Sequence, residues 1–254
     1  MVYKSFLPDT GGAFTLENYQ TIASKLLYRK AITNSLKISI TSALAGIVIA
    51  FFGARAAHER PGKLNRAFTA ILNMVSNFAG IPLAFAYMIL LGNTGLVVNI
   101  GKELGISALA NYELYTMNGM SLIYIYFQIP LSTLLLIPAF DGVHKQWKEA
   151  CTLLGGSPGV FWRRIAIPVL MPSILATFSV LFANALAAYA TIYALMMDNI
   201  ALLPEQIAGC FTGEVRIRAG LGGALSVVMM VLMLLMILLT NAISRRFQKG
   251  GARR

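Results

Sequence analysis

The chain has 254 residues, of which 57% are hydrophobic and 12% charged, with a net charge of +11 and a mean hydropathy of +0.69. Soluble domains carry about 25% charged residues. A chain of this length cannot bury so much apolar surface in its own core, so the excess must face lipid. Two cysteines and two histidines are too few for a disulfide framework or a Cys/His zinc site. No basic face with interleaved aromatic residues points to nucleic acid.

Five segments are long and apolar enough to cross a bilayer as helices, which takes about 20 residues. They lie near residues 34–54, 68–91, 119–140, 169–196 and 221–243. We therefore predict an all-α integral membrane protein with a bundle of about five transmembrane helices and no soluble domain. The predicted regions are an external N-terminal segment at 1–33, a transmembrane domain at 34–245 and a basic cytoplasmic tail at 246–254.

The distribution of Lys and Arg predicts the orientation of these spans. The loop at 55–67, the loop at 141–168 and the C-terminal residues 244–254 together carry 13 of the 21 Lys and Arg residues. Because positive charges concentrate in cytoplasmic loops, we expect all three regions on the cytoplasmic side. Five spans then place residues 1–33 outside, although they have four positive charges and no signal peptide. We expect either translocation without a preceding helix or an upstream helix that is missing from this chain.

The loop at 141–168 has an organisation of its own. Its first part, HKQWKEACTLLG, predicts a short amphipathic helix with apolar residues at three- and four-residue spacing. Gly155-Gly156 is a typical helix C-cap, and Ser157-Pro158-Gly159 predicts a turn. The basic pair Arg163-Arg164 then fits a membrane–water boundary.

The same loop carries the spacing of a known motif. Glu149-Ala150-Cys151, then Gly155 after three intervening residues, then Ile165 and Ile167-Pro168, resembles the E-A-A-x3-G-x9-I-x-L-P pattern called the EAA motif. It marks the membrane subunits of binding-protein-dependent ABC importers. Cys151 and Ile167 depart from the usual Ala and Leu but remain small or apolar. FTLENYQTI at 14–22, followed by NSLKISITSA, is similar to the start of the permease core in that family.

The resemblance implies a function and a set of partners. In such permeases the motif forms a coupling helix that docks on a cytoplasmic ATPase, so Glu149, Ala150, Cys151, Gly155, Ile165 and Pro168 are the implied coupling residues. The implied partners are a pair of ATP-binding subunits, a second identical or homologous permease, and an external or periplasmic substrate-binding protein. The implied location is a bacterial cytoplasmic (inner) membrane. The alternative for the loop is a helix that only lies on lipid.

The chain shows no catalytic or cofactor motif of its own. A phosphate-binding loop requires G-x4-G-K-[ST], whereas residues 95–103 (GLVVNIGKE) are one residue too long and place Glu where the hydroxyl should be. We therefore expect no enzyme activity and no cofactor, with ATP hydrolysed by a partner chain. A membrane enzyme would show clustered His, Asp or Glu, and a channel would show a repeated pore motif. We find neither pattern in the sequence.

Polar residues inside apolar spans are candidates for a translocation pathway, because they are costly in lipid. The predicted pathway residues are Asn77, Tyr124, Gln128, Asn184 and Tyr189. The alternative is that such side chains only join helices to one another.

The external loops at 92–117 and 197–220 would receive a binding protein. Lys102, Glu103, Glu113, Glu205, Glu214, Arg216 and Arg218 are the candidate rim residues, with solvated loop charges as the alternative.

The solute class is indicated only by resemblance. The FTLENY opening and GIPLAFAYMILLGNTGL at 80–96 resemble the spermidine/putrescine branch of the family. That branch is similar to permeases for ferric iron, phosphonates such as 2-aminoethylphosphonate, and thiamine. We therefore expect a polyamine or a related small organic cation, with those three solutes as alternatives.

The charge distribution makes a testable prediction about topology. Ser157→Cys, in a background with Cys151 and Cys210 replaced by Ser, should not react with a membrane-impermeant thiol reagent added to intact cells. It should react once the cells are permeabilised. Ready labelling of the Ser157→Cys variant from outside would reverse the predicted orientation.

Overall fold

The computed structural model describes residues 1–8, 13–59, 62–196, 200–212 and 217–251. These residues form helices joined by short turns, and no β-strand occurs among them. A π-helical segment, Trp162–Ala166, joins two of the α-helices. The α-helices of the described residues are α1 Val2–Ser5, α2 Glu17–Ser24, α3 Leu26–Glu59, α4 Lys63–Ser76, α5 Ile81–Leu91, α6 Leu96–Glu103, α7 Ser107–Ala110, α8 Met117–Phe140, α9 Lys145–Leu153, α10 Pro158–Phe161, α11 Ile167–Ala187, α12 Ala190–Met196, α13 Leu203–Thr212 and α14 Ala219–Gly251.

Five helical segments of the described residues are long and apolar enough to cross a membrane, which confirms the predicted all-α fold with five spans. The protein is therefore a multi-pass membrane protein. The first span is longer than predicted, since its helix, α3, begins at Leu26 within the predicted N-terminal segment. The helix α14 continues through most of the predicted tail, and residues 252–254 lie outside the described residues. The five spans are Leu26–Glu59, Ile81–Glu103, Met117–Phe140, Pro158–Ala187 and Ala219–Phe247.

The prediction of one continuous second span at 68–91 is wrong. The helix α4 ends at Ser76 and α5 begins at Ile81. The span is instead Ile81–Glu103, which consists of α5, a short turn and α6. Gly80 has a φ of 76°, which an L-residue with a side chain rarely adopts. Pro82 lies in the first turn of α5, where a backbone N–H has no partner within the helix, so proline is favoured at this start. The apolar composition across this break conceals a change of helix.

The predicted fourth span at 169–196 is also interrupted, because α11 ends at Ala187 and α12 begins at Ala190. A single hydroxyl joins this break to the one at Gly80. Thr191 Oγ1 accepts a hydrogen bond from the Gly80 N–H (3.0 Å) and also lies 3.2 Å from the Gly80 carbonyl oxygen, to which it can donate. Backbone groups freed at a break in a membrane helix need such partners because lipid supplies none.

The chain forms two compact units. The first consists of Met1–Ser42, Phe78–Tyr124 and Ala183–Leu234. Its apolar core includes Ile22, Tyr28, Leu203, Leu221 and Leu225, so the helix α2 is packed against α13 and α14 rather than left free. In the same unit, Leu203 N–H donates to Ser35 Oγ (2.8 Å) and Asn34 Nδ2 donates to the Ala201 carbonyl (3.1 Å).

The second unit consists of Ala43–Asn77, Ile125–Phe182 and Leu235–Arg254. In its core Ala50 and Ala54 of α3 pack against Leu136 and Phe140 of α8 and against Leu170 of α11. Small residues at a helix interface let two backbones approach closely in a membrane. This packing holds the C-terminal ends of α3 and α8 next to the segment that contains α9.

Candidate functional site

The helix α9 has no buried residue. Leu153 is 88% exposed and Leu154, which follows it, is 89% exposed. Helices this short are marginal in water on their own, and most of their stability in proteins comes from packing of an apolar face. The described residues provide no such packing for α9, so its ends have to be fixed by other means.

The C-terminal end of α9 is fixed by a Schellman turn. Gly155 has a φ of 76° and its N–H donates to the Thr152 carbonyl (3.0 Å), while the Gly156 N–H donates to the Cys151 carbonyl (2.8 Å). These are the two bonds that define the motif, and glycine suits the left-handed position. Gly156 is also constrained, because a Cβ there would lie 2.5 Å from Cys151 Sγ and 2.8 Å from its carbonyl oxygen.

The chain then enters the fourth span without a further break. Ser157 caps α10, its Oγ accepting a hydrogen bond from the Val160 N–H (3.4 Å), and Pro158 occupies the first turn. The π-helical segment Trp162–Ala166 follows and leads directly into α11. Single π-helical turns inside α-helices are rare and frequently occur at functional sites. A displacement of the turn after α9 would therefore be delivered straight to a transmembrane helix.

An aromatic cluster surrounds Trp162 at the base of this segment. The ring centroid of Trp162 lies 5.9 Å from Phe51, 5.9 Å from Phe161 and 6.5 Å from Phe140. The Arg55 guanidinium lies over the indole, 4.5 Å from the ring centroid. Aromatic pairs contribute about 0.5–1.5 kcal/mol beyond their burial, and a cation over a Trp face about 0.5–2 kcal/mol. The C-terminal end of α3 is thus held against the start of the fourth span.

An ion pair and a further polar contact add to this attachment. Arg55 Nε donates to Glu59 Oε1 (2.9 Å), four residues along α3. His58 Nδ1 lies 3.2 Å from Asp141 Oδ1, and the His58 ring lies 6.0 Å from Phe140. Asp141 belongs to the turn between α8 and α9, so the end of α3 is also tied to the chain that enters α9.

A cavity of about 750 Å³ lies between α9 and the ends of α3 and α8. We call it the α9 cavity. Glu149, Lys145 and Lys148 line it from α9, whereas Ala150 and Leu154 do not. Because successive helical residues are 100° apart, Ala150 and Leu154 share the opposite face of the helix. The α9 cavity is also lined by Arg55, His58, Glu59, Phe140, Phe161 and Trp162.

The predicted coupling residues fall into two groups. Glu149, Ala150, Cys151 and Gly155 lie together in α9 and its cap, where Glu149 and Ala150 are exposed and Cys151 is half-buried. Glu149 forms no ion pair with any residue that the structure describes. Ile165 and Pro168 are half-buried in the π-helical segment and the first turn of α11. The coupling role of all six residues stays a prediction.

The predicted pathway residues differ in their exposure. Asn77 and Asn184 are exposed, and Tyr189 is half-buried with its ring stacked on Tyr193 at 5.3 Å. In contrast, Tyr124 is only 3% exposed and Gln128 is fully buried. Asn77 and Gln128 belong to the second unit and the other three residues to the first.

Gln128 has the contacts of a packing residue. Its Nε2 donates to the Leu181 carbonyl (2.7 Å), and a Cβ on Gly46 would lie 2.9 Å from the Gln128 Cβ. Burial with a backbone partner favours helix joining over pathway lining for this side chain.

The candidate rim residues also differ in their exposure. Lys102, Glu103, Glu113 and Arg218 are exposed, whereas Glu205 is buried in α13 and does not project as a rim residue. Glu214 and Arg216 lie outside the described residues.

The sequence analysis did not predict Arg55, His58, Asp141 and Trp162 as members of the α9 site. The one available signal was a Trp beside the basic pair at the predicted membrane boundary.

Comparison with known proteins reveals relatives among transport permeases, although no protein-family model matches the sequence. The chain is 24% identical to the thiamine transport system permease protein ThiP of Escherichia coli over 82% of this chain and 38% of ThiP. It is 24% identical to a probable sulfate transport system permease protein, cysT, of Helicosporidium over 74% of this chain and 66% of cysT. It is 29% identical to the alpha-glucoside transport system permease protein AglG of Rhizobium meliloti over 69% of this chain and 43% of AglG. The chain spans less than two thirds of the length of these relatives.

Solved structures show the same fold. A chain of a bacterial alginate ABC transporter, crystallised in complex with an alginate pentasaccharide-bound periplasmic protein, superposes with a TM-score of 0.77 at 19% identity. That match covers 98% of this chain and 86% of the other. A chain of the inward-facing MetNI methionine ABC transporter superposes with a TM-score of 0.65 at 19% identity, over 87% and 96% of the two chains. The protein thus has the fold of ABC transporter membrane chains.

The Schellman turn makes a testable prediction about α9. Gly156→Ala should open the turn, because its Cβ meets the Cys151 carbonyl and overpacking of this kind costs about 1–3 kcal/mol. Hydrogen exchange of the peptide covering residues 145–160 should then accelerate by about 5- to 150-fold. Gly159→Ala is the matched control, since among the described residues only Ser157 Oγ lies near its Cβ, at 3.9 Å. Equal hydrogen exchange in the Gly156→Ala and Gly159→Ala variants would contradict the proposed role of the Schellman turn.

Proposed function

We propose that this chain is the permease subunit of a binding-protein-dependent ABC importer. It forms half of the translocation pathway and couples ATP hydrolysis by a separate subunit to uptake of a small solute. One observation carries the proposal. The EAA-like spacing from Glu149 to Pro168 falls on an exposed helix with a fixed glycine cap, in a chain with the fold of ABC transporter membrane chains.

The exposed face of α9 suits docking to an ATPase groove. Ala150 and Leu154 lie on the face turned away from the α9 cavity, where a small residue permits close approach and Leu154 offers 89% of its apolar surface. Glu149 lies at the side of that face and forms no ion pair with the described residues, so its carboxylate is available to a basic side chain of the ATPase. A charge pair at such an interface contributes mainly to specificity and register.

Two structural connections would carry a movement of α9 into the membrane. The turn at Gly155 continues through α10 and the π-helical segment into the span Pro158–Ala187. Trp162 in that segment also contacts Phe51 and Arg55 of the span Leu26–Glu59. Packed elements move as rigid bodies rather than deforming continuously. A push on α9 would therefore displace the ends of both spans together.

The proposed partners follow from this role. They are a pair of cytoplasmic ATP-binding subunits, a second identical or homologous permease and an external or periplasmic binding protein. The proposed location is a bacterial inner membrane with the C-terminus and α9 on the cytoplasmic side, as the Lys and Arg distribution favours. The alginate transporter structure, which contains a ligand-bound periplasmic protein, supports the last partner by analogy.

For the pathway we propose Asn77, Asn184 and Tyr189, whose side chains reach a surface. Gln128 joins helices through its hydrogen bond to the Leu181 carbonyl, and Tyr124 is buried as well. For the solute we propose a polyamine or a related small organic cation, with ferric iron, a phosphonate or thiamine as alternatives. The stacked rings of Tyr189 and Tyr193 support a cation, because the face of a tyrosine ring attracts positive charge.

The coupling role predicts the effect of two substitutions. Glu149→Lys places a like charge against a basic partner, which costs several kcal/mol at an interface. Gly155→Asp puts a side chain at a positive φ, a strain of roughly 1–3 kcal/mol. Both variants should reach the membrane but lose co-purification of the ATPase subunit and lose uptake. Glu17→Lys and Gly62→Asp, which change charge at exposed residues outside α9, its cap and the segment that leads to α11, are the controls, and Gly62 also has a positive φ.

Wild-type uptake and ATPase retention in both α9 variants would reject the coupling role and favour a helix that only lies on lipid.

The same uptake assay, run in proteoliposomes with the binding protein, identifies the solute. Spermidine should compete for uptake, while ferric iron, 2-aminoethylphosphonate and thiamine should not. Competition by one of those three instead would correct the solute and leave the coupling role intact.

A further inference from the structure

The α9 cavity lies on the side of α9 away from Ala150 and Leu154, and Glu149 borders both surfaces. Its volume of about 750 Å³ is typical of sites for small ligands, which range from roughly 300 to 1,000 Å³. It lies where the spans Leu26–Glu59 and Met117–Phe140 end and the span Pro158–Ala187 begins. The cavity therefore stands at the border between lipid and water, where headgroups of phospholipids are found.

The lining of the α9 cavity has an excess of positive charge. Lys145 and Lys148 line it from one side of α9 and form no ion pair with the described residues. Three residues apart on a helix, they are neighbours whose like charges repel. Arg55 adds a third cation, which Glu59 partly neutralises at 2.9 Å. Glu149 is the remaining carboxylate of the lining, so a net positive charge faces the space. A phosphate group between the two lysines would relieve their repulsion.

The floor of the cavity is aromatic. Phe140, Phe161 and Trp162 contribute to its lining, and Trp162 is only half-buried although three rings surround it. Tryptophan is enriched at the level of lipid headgroups because its ring is amphipathic. A small inorganic anion needs no such floor, whereas the glycerol region of a lipid has apolar surface to place on it.

An exposed apolar stripe leads away from the cavity along α3. Leu44, Val48 and Phe52 are 53%, 59% and 62% exposed. They recur every four residues and continue to Arg55 at the cavity, so all four share one face of the helix. A phospholipid bound by its phosphate in the cavity would lay an acyl chain along this stripe. The stripe distinguishes a lipid from a soluble phosphate.

We propose that the α9 cavity binds the headgroup of an anionic phospholipid. Lys145 and Lys148 hold the phosphate, Trp162 and Phe140 pack under the glycerol, and an acyl chain follows Leu44, Val48 and Phe52. The bound lipid ties α9 to the end of α3, so lipid composition sets the position of α9. The leaflet concerned, but not the site itself, rests on the proposed function, which places α9 on the cytoplasmic side.

Intrinsic fluorescence offers a direct test, because the two tryptophans of the chain, Trp147 and Trp162, lie on α9 and in the cavity floor. The full chain in phosphatidylcholine nanodiscs is compared across increasing fractions of phosphatidylglycerol, with Trp147→Phe to isolate the emission of Trp162. The emission of Trp162 should change saturably as the fraction of phosphatidylglycerol rises, and this change should weaken at high salt. The double variant Lys145→Gln/Lys148→Gln should require about tenfold more anionic lipid.

The control variant is Lys25→Gln/Lys30→Gln, which removes two exposed lysines at the other end of the first span and should titrate like the wild type. Inorganic phosphate and glycerol 3-phosphate test the soluble source and should leave Trp162 emission unchanged. An equal response to soluble phosphate, or equal titration by all variants, would overturn the lipid site. No ATPase is present in this experiment, so its failure would not count against the coupling role, which the uptake assay decides.

Discussion

The left-handed turn at Gly155 is the constraint on which the rest of the site depends. A nine-residue helix with no buried residue cannot hold its own direction. The two hydrogen bonds that Gly155 and Gly156 donate close the end of α9, and the absence of a side chain on Gly156 lets the chain pass Cys151. Once the end of α9 is fixed, its direction follows the helix that comes after it. The exposed face of α9 is then a rigid surface rather than a frayed peptide.

The packing of α3 decides how far a displacement of that surface would travel. Ala50 and Ala54 let α8 and α11 approach α3, and this brings Phe51 and Arg55 into contact with Trp162. The small residues Ala50 and Ala54 thus allow the contacts of Trp162 at the end of α3. The cation over the indole adds a contact that tolerates some sliding, because the attraction depends on the ring face rather than on one donor direction. Such a contact suits two helix ends that move together.

Local patterns in the sequence predicted what local physics determines. Five apolar runs predicted the number of spans, although the second was misplaced, and the Gly155-Gly156 pair with the spacing of the preceding residues predicted α9 and its cap. The break before Ile81 also has a local signal, Gly80 followed by Pro82, which the apolar run concealed. In contrast, Thr191 meets Gly80 across 111 residues, and Arg55 reaches Trp162 only because α3 packs in the second unit. Contacts set by tertiary packing leave no periodic trace in one sequence.

In the proposed coupling role, the face of α9 that carries Ala150 and Leu154 docks on the ATPase subunit. The most direct measurement is photo-cross-linking with benzoylphenylalanine placed at Leu154, compared with the same group at Leu16, which is 58% exposed next to α2. We expect Leu154 to form a cross-link to the ATPase subunit in the assembled complex and Leu16 to form none. An assembled complex in which Leu154 cross-links only to lipid would contradict the claim.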